Sequence, residues 1–256
     1  MLTLSDEQLD ILEDLVPDFE PSPKGGRPPI AKRQALAGIF WVLDNGAKWK
    51  DLPKRFGSKS SVHRWFLTWV KAGVFEDIMR AMGRLVEEEG RYRLYECFVD
   101  GTFSKAKGGG DGIGCTRVGK GVKIMILVDA KGLPLAVSTA SANRAECSLI
   151  QELFGFMLST NQPERVIGDK AYDSDKLDAQ LASDGVEMIA PNRAKRSVTQ
   201  DARPLRRYKR RWTVERTIAW LQNYRRLCIR WEKSLFAFQG FLHLACALLL
   251  MKEVLG

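Results

Sequence analysis

The sequence has no Cys-x-x-Cys pair, and its five cysteines, Cys97, Cys115, Cys147, Cys228 and Cys246, are odd in number and widely spaced. That pattern excludes a cysteine-seeded zinc site and reads as reduced packing residues of a cytosolic protein. No Gly-Lys-Ser/Thr run is present, so the segment Lys105 to Gly121, with its seven glycines, reads as a flexible loop and not as a phosphate cradle. The opening MLTLSDEQLDILEDL has no positive region ahead of an apolar stretch, and no secretory signal is expected. The longest apolar run, Leu235 to Met251, is interrupted by Gln239, Gly240 and His243. It falls short of the roughly 18–20 unbroken residues of a membrane span, so a buried C-terminal helix is expected and no membrane partner. No internal repeat is visible.

What is present is a chain of 256 residues, 45% apolar, enough for a full core and a second small domain. Lys and Arg number 40 against 31 Asp and Glu, a net charge of +9. Such a surplus suits a polyanionic partner, nucleic acid or an acidic membrane surface.

Residues 1–90 read as helical. Ser5 with Gln8 forms a capping box ahead of an acidic helix carrying Leu9, Leu12 and Leu15 at helical spacing. A basic Pro/Gly break, PSPKGGRPP from Pro21 to Pro29, can act as a hinge or a strap. Arg33 to Leu43 is a second helix with Leu36, Ile39, Phe40 and Leu43 inward. Lys50 to Val70 reads as a short helix, a turn at Gly57, and a helix capped by Ser58 with Val62, Phe66 and Val70 on its inner side. That is the outline of a helix-turn-helix. Its second helix would present Lys59, Ser60, His63 and Arg64, residue types that reach phosphates and base edges. An ordinary helical hairpin with its charges in water is the alternative. Trp65 and Trp69, four apart, read as core.

The period changes at residue 94. Leu94 to Thr102, Lys120 to Asp129 and Leu133 to Ala140 read as strands, the last two joined by a turn at Asp129 to Gly132. A helix at Ala145 to Leu158, a strand at Arg165 to Asp169, a helix near Ser174 to Ser183, a strand at Val186 to Pro191 and a long helix from about Arg206 follow. This order is that of an α/β ribonuclease H-like fold.

Phosphodiester transfer needs a hydroxyl made nucleophilic and a leaving oxygen stabilised, work suited to two hard divalent cations held by carboxylates. Asp100 ends an apolar strand (Cys97, Phe98, Val99), and Asp169 ends another after Val166 and Ile167. Glu215 is a lone acid beside a very basic stretch: Arg193 to Arg211 holds nine Lys or Arg and a single acid, Asp201. Two strand-end aspartates and a helix glutamate can meet at one cleft. Read singly, the aspartates can instead be turn formers, and Glu215 can pair with its arginines. Asp111, Asp129, Asp173 and Asp175 read as turn and cap residues. The basic stretch is either a solvated face or a phosphate-binding surface, and Tyr208, Trp212 or Trp220 could stack on an unpaired base, with Trp220 equally suited to burial.

Tyr208, Arg211 and Glu215 in YKRRWTVERTIAWLQNYRRL resemble the tyrosine, arginine, glutamate, lysine signature of bacterial insertion-sequence transposases. With FVDGT around Asp100 and IGDKAYDS around Asp169, the chain resembles the insertion sequence five family of DDE transposases from about residue 30 to 250. The resemblance implies a ribonuclease H-like catalytic domain at 91–256 behind a helical DNA-binding domain at 1–90. It implies Asp100, Asp169 and Glu215 as catalytic metal ligands for two Mg²⁺ ions, with Mn²⁺ as a substitute, and Arg207, Tyr208, Arg210 and Arg211 near bound DNA. Its implied partners are double-stranded terminal inverted repeats and target DNA, bound by a homodimer or larger assembly in the bacterial cytoplasm, at the nucleoid. Gln222 stands where the family has its final lysine. At about 100° per residue Gln222 shares one helical stripe with Tyr208, Arg211 and Glu215, and Arg226 returns to it, which makes Gln222 and Arg226 candidate DNA contacts. A nuclease of the same fold and a non-catalytic DNA-binding regulator are the rival readings.

Overall fold

The computed structural model describes residues 4–18, 29–193 and 207–255. Most of the Pro/Gly break and residues 194–206 of the basic stretch lie outside the described residues.

Helix α1 (Asp6–Leu15) begins at the expected capping box: Ser5 Oγ accepts from the Gln8 N–H at 3.1 Å and Gln8 Oε1 accepts from the Ser5 N–H at 3.0 Å. Helix α2 (Lys32–Asn45) stops at Gly46, which takes the left-handed conformation that favours glycine. The short helix expected before Gly57 is instead two 3₁₀ turns, Trp49–Asp51 and Lys54–Phe56, with Pro53 between them lacking the N–H that a continuous helix would use. Helices α3 (Lys59–Lys71) and α4 (Val74–Glu88) follow. The inward side of α3 is as expected, with Val62, Phe66, Trp65 and Trp69 all buried.

The second half of the chain builds a mixed sheet. Strands β1 (Cys97–Ala106), β3 (Gly119–Val128) and β4 (Pro134–Ser141) are antiparallel neighbours, and β2 (Gly114–Thr116) pairs with the start of β3. The segment after β4 is a 3₁₀ turn (Glu146–Leu149) and a short α5 (Ile150–Phe154), less helix than its pattern suggested. Then β5 (Arg165–Ile167), α6 (Asp175–Ser183) and β6 (Glu187–Ile189) add two strands parallel to β1 on its other side. Cys97 lies opposite Val166 and Phe98 opposite Ile167. Carried forward, that register brings Asp100 level with Asp169.

Two expectations are corrected. The glycine segment is tied down: Arg230 donates to the Asp111 carbonyl at 2.8 Å and to its carboxylate at 2.9 Å, and that carboxylate also accepts from the Leu235 N–H at 2.7 Å. Gly110, at φ +115, lies so close to the Lys233 carbonyl that a Cβ would sit 2.1 Å from its oxygen. The glycines there permit backbone contact, not motion. The single long helix from Arg206 is also absent. A 3₁₀ turn (Arg207–Arg211) leads into α7 (Trp212–Asn223), and Tyr224 then leaves the helical region (φ −76, ψ 93) before the short α8 (Arg225–Cys228) and β7 (Ile229–Arg230), which pairs with the end of β1. The Tyr224 ring is buried, edge-on to Phe40 at 6.3 Å, and that anchorage to α2 accompanies the break.

Helix α9 (Leu235–Leu255) is long and apolar enough to cross a membrane by length and composition, and 67% of its most apolar window is buried inside the protein. It packs on α4, α3 and β4, so one continuous core joins the helical segment to the sheet. An aromatic run holds this junction, with Phe66 on Phe241 at 4.3 Å and Trp49 on Phe66 at 5.3 Å. Each such buried ring contributes on the order of 1.5–3 kcal/mol. Cys97 and Cys246 pack in the core as expected, whereas Cys115 on β2 is exposed.

At the same junction Arg226 is 2% exposed. Its Nη2 meets Glu232 Oε1 at 2.5 Å, Nε donates to the same oxygen at 2.8 Å, and Nη1 donates to the Ala47 carbonyl at 2.6 Å. Burying one charge without its partner is costly, whereas losing both is not. Glu232→Gln should therefore lower unfolding stability by about 3–5 kcal/mol, and Arg226→Met with Glu232→Leu should recover most of it. A denaturation midpoint unmoved by Glu232→Gln would contradict the pairing.

Candidate active site and nucleic-acid surface

Asp100 does not end its strand, although the sequence pattern suggested that it does: it is the fourth of the ten residues of β1, which runs on to Ala106, it pairs with Ile126, and its side chain is 14% exposed. Oδ1 accepts from the Gly101 N–H at 2.8 Å, and Oδ2 accepts from Arg211 Nη2 at 2.9 Å. The same Nη2 lies 3.2 Å from Glu215 Oε1, so one cationic nitrogen joins two of the three expected carboxylates. Glu215 stands in the first turn of α7 with its side chain 57% exposed, while Val214 and Leu221 of the same helix are buried. Asp169 caps the 3₁₀ turn Lys170–Tyr172, its Oδ1 accepting from the Ala171 N–H at 2.6 Å. Among the described residues no three His, Cys, Asp or Glu side chains lie close enough to enclose a metal ion. The donor set is nevertheless of the right kind, hard carboxylate oxygens from within β1, from the turn after β5 and from a helix. A single positive atom already reaches Asp100 and Glu215 together.

Charge at this site is balanced narrowly. Burial raises the Asp100 pKa above its ordinary value, and the attraction of Arg211 with the Gly101 hydrogen bond only partly reverses this. For Arg211 burial works against the charge, but Asp100 and the Tyr208 hydroxyl outweigh it and its pKa is raised. Tyr208 OH accepts from Arg211 Nη1 at 3.1 Å, and Arg211 Nε is buried with no hydrogen-bond partner among the described residues. Gln222 is exposed and donates to Thr102 Oγ1 at 3.1 Å, which keeps it on the β1 side of α7.

Other expected contacts are placed differently. Arg226 is removed from the DNA-contacting set: the break at Tyr224 rotates it into the core and leaves Arg225 exposed, the reverse of the continuous-helix stripe. Arg210 donates to Glu96 Oε2 at 2.5 Å and to the Ala130 carbonyl at 3.3 Å, which anchors the turn while 42% of its side chain stays exposed. The Arg207 side chain lies outside the described residues. Lys59, Ser60 and Arg64 of α3 are exposed, whereas His63 stacks on Trp49 at 4.7 Å and is half-buried. Burial, then the Arg226 charge, lower the His63 pKa. Ser60, His63, Arg64 and Lys71 line one shallow depression of about 340 Å³. Trp212 and Trp220 are both exposed and sandwich the Arg216 guanidinium at 4.8 and 4.7 Å. Asp129 accepts from the Arg93, Lys131 and Leu133 N–H groups, a turn residue as expected.

One acid beside the site was not singled out from the sequence. Glu146 pairs with Lys123 at 3.1 Å and accepts from the Tyr172 hydroxyl at 2.9 Å. The signal for it is Lys123, a charge inside the apolar strand VKIMILV that requires a partner.

Residues 93–250 match the family described as "Transposase DDE domain", and residues 4–79 match the family described as "Putative transposase of IS4/5 family". The chain belongs to the DDE transposase family. It is 35% identical over 133 residues to the "Putative transposase for insertion sequence element IS6501" of Brucella ovis, covering 51% of this chain and 98% of that protein. It is 36% identical over 143 residues to the "Putative transposase for insertion sequence element IS402" of Burkholderia cepacia, covering 52% of this chain and 64% of that protein. Among solved structures, the piggyBac transposase synaptic complex with hairpin DNA is matched at 10% identity and a TM-score of 0.42, over 77% of this chain and 50% of that one.

The raised Asp100 pKa has a consequence for stability. A carboxyl that holds its proton more tightly folded than unfolded penalises the fold as pH rises through the carboxylate range, and asparagine carries no such penalty. Asp100→Asn should therefore raise the thermal midpoint at neutral pH, with the gain vanishing at pH values below that range. A lower midpoint at pH 7 would mean that Arg211 returns more to the carboxylate than burial removes.

Proposed function

We propose that this chain is a metal-dependent DNA transposase: residues 1–90 bind the terminal inverted repeats, and residues 91–256, ribonuclease H-like, cleave the ends and join the 3′ hydroxyls to target DNA. The observation that carries this reading is the meeting of Asp100 and Glu215 on one Arg211 nitrogen, with Asp169 capping the turn that follows the adjacent parallel strand β5. The strand order, three antiparallel strands extended by two parallel to the first, supports the ribonuclease H-like assignment.

Asp100, Asp169 and Glu215 would hold two divalent ions, Mg²⁺ or Mn²⁺, which supply a nucleophilic hydroxyl and stabilise the departing oxygen. Asp100 offers its oxygens from within β1 and Asp169 from the cap of the turn that follows β5. Glu215 approaches from α7, which is anchored through Val214 and Leu221. Arg211 keeps Asp100 and Glu215 paired in the free protein, and its buried Nε is a donor suited to a phosphate oxygen. Lys59, Ser60 and Arg64 on α3 supply backbone or base contacts from the helix-turn-helix segment. Holding both ends of an element requires at least a dimer on DNA.

The test is incubation with element ends and Mg²⁺, scored separately for binding, cleavage and joining. Asp100→Asn, Asp169→Asn and Glu215→Gln should each abolish cleavage, a loss of at least about 100-fold, while binding persists; Lys59→Ala and Arg64→Ala should show the opposite. If Arg64 reads a base edge, about 1–3 kcal/mol of discrimination is lost at one position. Cleavage by all three carboxylate variants at the wild-type rate would sink the reading, and cleavage without joining would identify a nuclease of the same fold.

A further inference from the structure

Lys123, Glu146 and Tyr172 form a polar cluster directly behind the two aspartates, and the role assigned to the site leaves it unexplained. Lys123 lies within β3 with its side chain 15% exposed, pairs with Glu146 Oε1 at 3.1 Å and donates to the Arg144 carbonyl at 2.9 Å. The Glu146 side chain is 20% exposed, and its second oxygen accepts from the Tyr172 hydroxyl at 2.9 Å. Tyr172 is fully buried. Burial, reinforced by the charges of Glu146, Asp100 and Asp169, holds its pKa far above the ordinary phenol value, so it remains a donor.

One end of this cluster touches the Asp169 backbone and the other touches Gly101, the residue after Asp100. Tyr172 closes the turn that Asp169 caps, its N–H donating to the Asp169 carbonyl at 3.0 Å while the Ala171 N–H donates to the Asp169 carboxylate at 2.6 Å. On the other side Glu146 lies flat against Gly101, the residue after Asp100. A Cβ on Gly101 would come within 2.9 Å of both Glu146 Cδ and Oε1, so the missing side chain is what admits the carboxylate. The Gly101 N–H in turn donates to Asp100 Oδ1 at 2.8 Å. Strand β1, the turn at Glu146 and the turn at Tyr172 therefore meet at one carboxylate.

We propose that Glu146 is a positioning residue: clamped by Lys123 and wedged against Gly101, it fixes the Asp169 turn to the Asp100 strand through the Tyr172 hydroxyl, and so sets the relative placement of the two aspartates. The proposal rests on the reading of Asp100 and Asp169 as a metal-holding pair. A strut of this kind acts on metal affinity through geometry. Partners that orient ligands from behind are typically worth about 10–100-fold in metal affinity.

The experiment is Mn²⁺ binding to the full chain, followed by the electron paramagnetic resonance signal of the free ion, for the wild type, Glu146→Gln, Tyr172→Phe, the double variant and Asp100→Asn, with metal-free thermal unfolding in parallel. Glu146→Gln and Tyr172→Phe should each weaken Mn²⁺ binding about tenfold or more. The double variant should lose no more than the weaker-binding single, because both act through one hydrogen bond. Should Glu146→Gln fold poorly, Tyr172→Phe, which retains the ring, carries the comparison. Wild-type affinity in Glu146→Gln and Tyr172→Phe alongside lost binding in Asp100→Asn would overturn the strut and leave the metal reading standing. Losses that add, or that track the fall in metal-free stability, would also overturn it. Wild-type affinity in Asp100→Asn would remove the metal reading, and the strut with it.

Discussion

A single guanidinium nitrogen, Arg211 Nη2, lies 2.9 Å from Asp100 and 3.2 Å from Glu215, and the geometry of the site depends on that contact. The Asp100 carboxylate, 14% exposed within β1, loses hydration and needs a counter-charge, whereas Glu215, 57% exposed, shares the same cation from the water side. Arg211 provides it from the residue before α7, and thereby couples the helix carrying Glu215 to the strand carrying Asp100. The remaining contacts of the turn serve the same docking. Arg210 reaches back to Glu96 just before β1, and Tyr208 accepts from Arg211.

The frame around this contact is rigid where the chemistry requires it. Asp100 lies within β1 and Asp169 caps the turn just past β5, whose parallel pairing with β1 at Cys97–Val166 and Phe98–Ile167 fixes where that turn begins. Helix α7 packs on β1 and β3 through Val214, Thr217 and Leu221. Its end at Tyr224 then turns the chain toward α2, where Arg226 and Glu232 make a buried ion pair beneath the aromatic run of Trp49, Phe66 and Phe241. The catalytic half and the helical half consequently share one core, with α9 as the common wall. At Asp100, in contrast, burial disfavours the charge, and Arg211 with the Gly101 N–H only partly restores it.

The sheet was legible from local pattern because its strands are apolar runs, and Asp169 falls just past β5 as that pattern suggests, whereas β1 runs on through the polar residues after Asp100 because β3 pairs with them as far as Lys105. The capping box at Ser5 and the inward faces of α2 and α3 follow from periodicity that no distant contact overrides. What failed were features decided by distant partners. Nothing within Gln222 to Arg226 announces that Tyr224 packs on Phe40, so a helical stripe extended through the break assigned Arg226 to DNA and not to Glu232. His63 fits an outward helical position until Trp49 stacks on it. The glycines at 108–112 carry no local sign that they admit the backbone of 231–233. Glu146 lies in a turn, where an acid is unremarkable until the buried Lys123 is counted. The family resemblance supplied the third carboxylate, since Glu215 in a basic helix is equally consistent with an ordinary ion pair, and in the free protein it makes one.

The most direct measurement of the central claim is the anomalous scattering of crystals grown with Mn²⁺. The account predicts Mn²⁺ density bonded to the carboxylates of Asp100 and Asp169, with Glu215 completing the site. Density located elsewhere, with Arg211 still paired to Asp100, would contradict it.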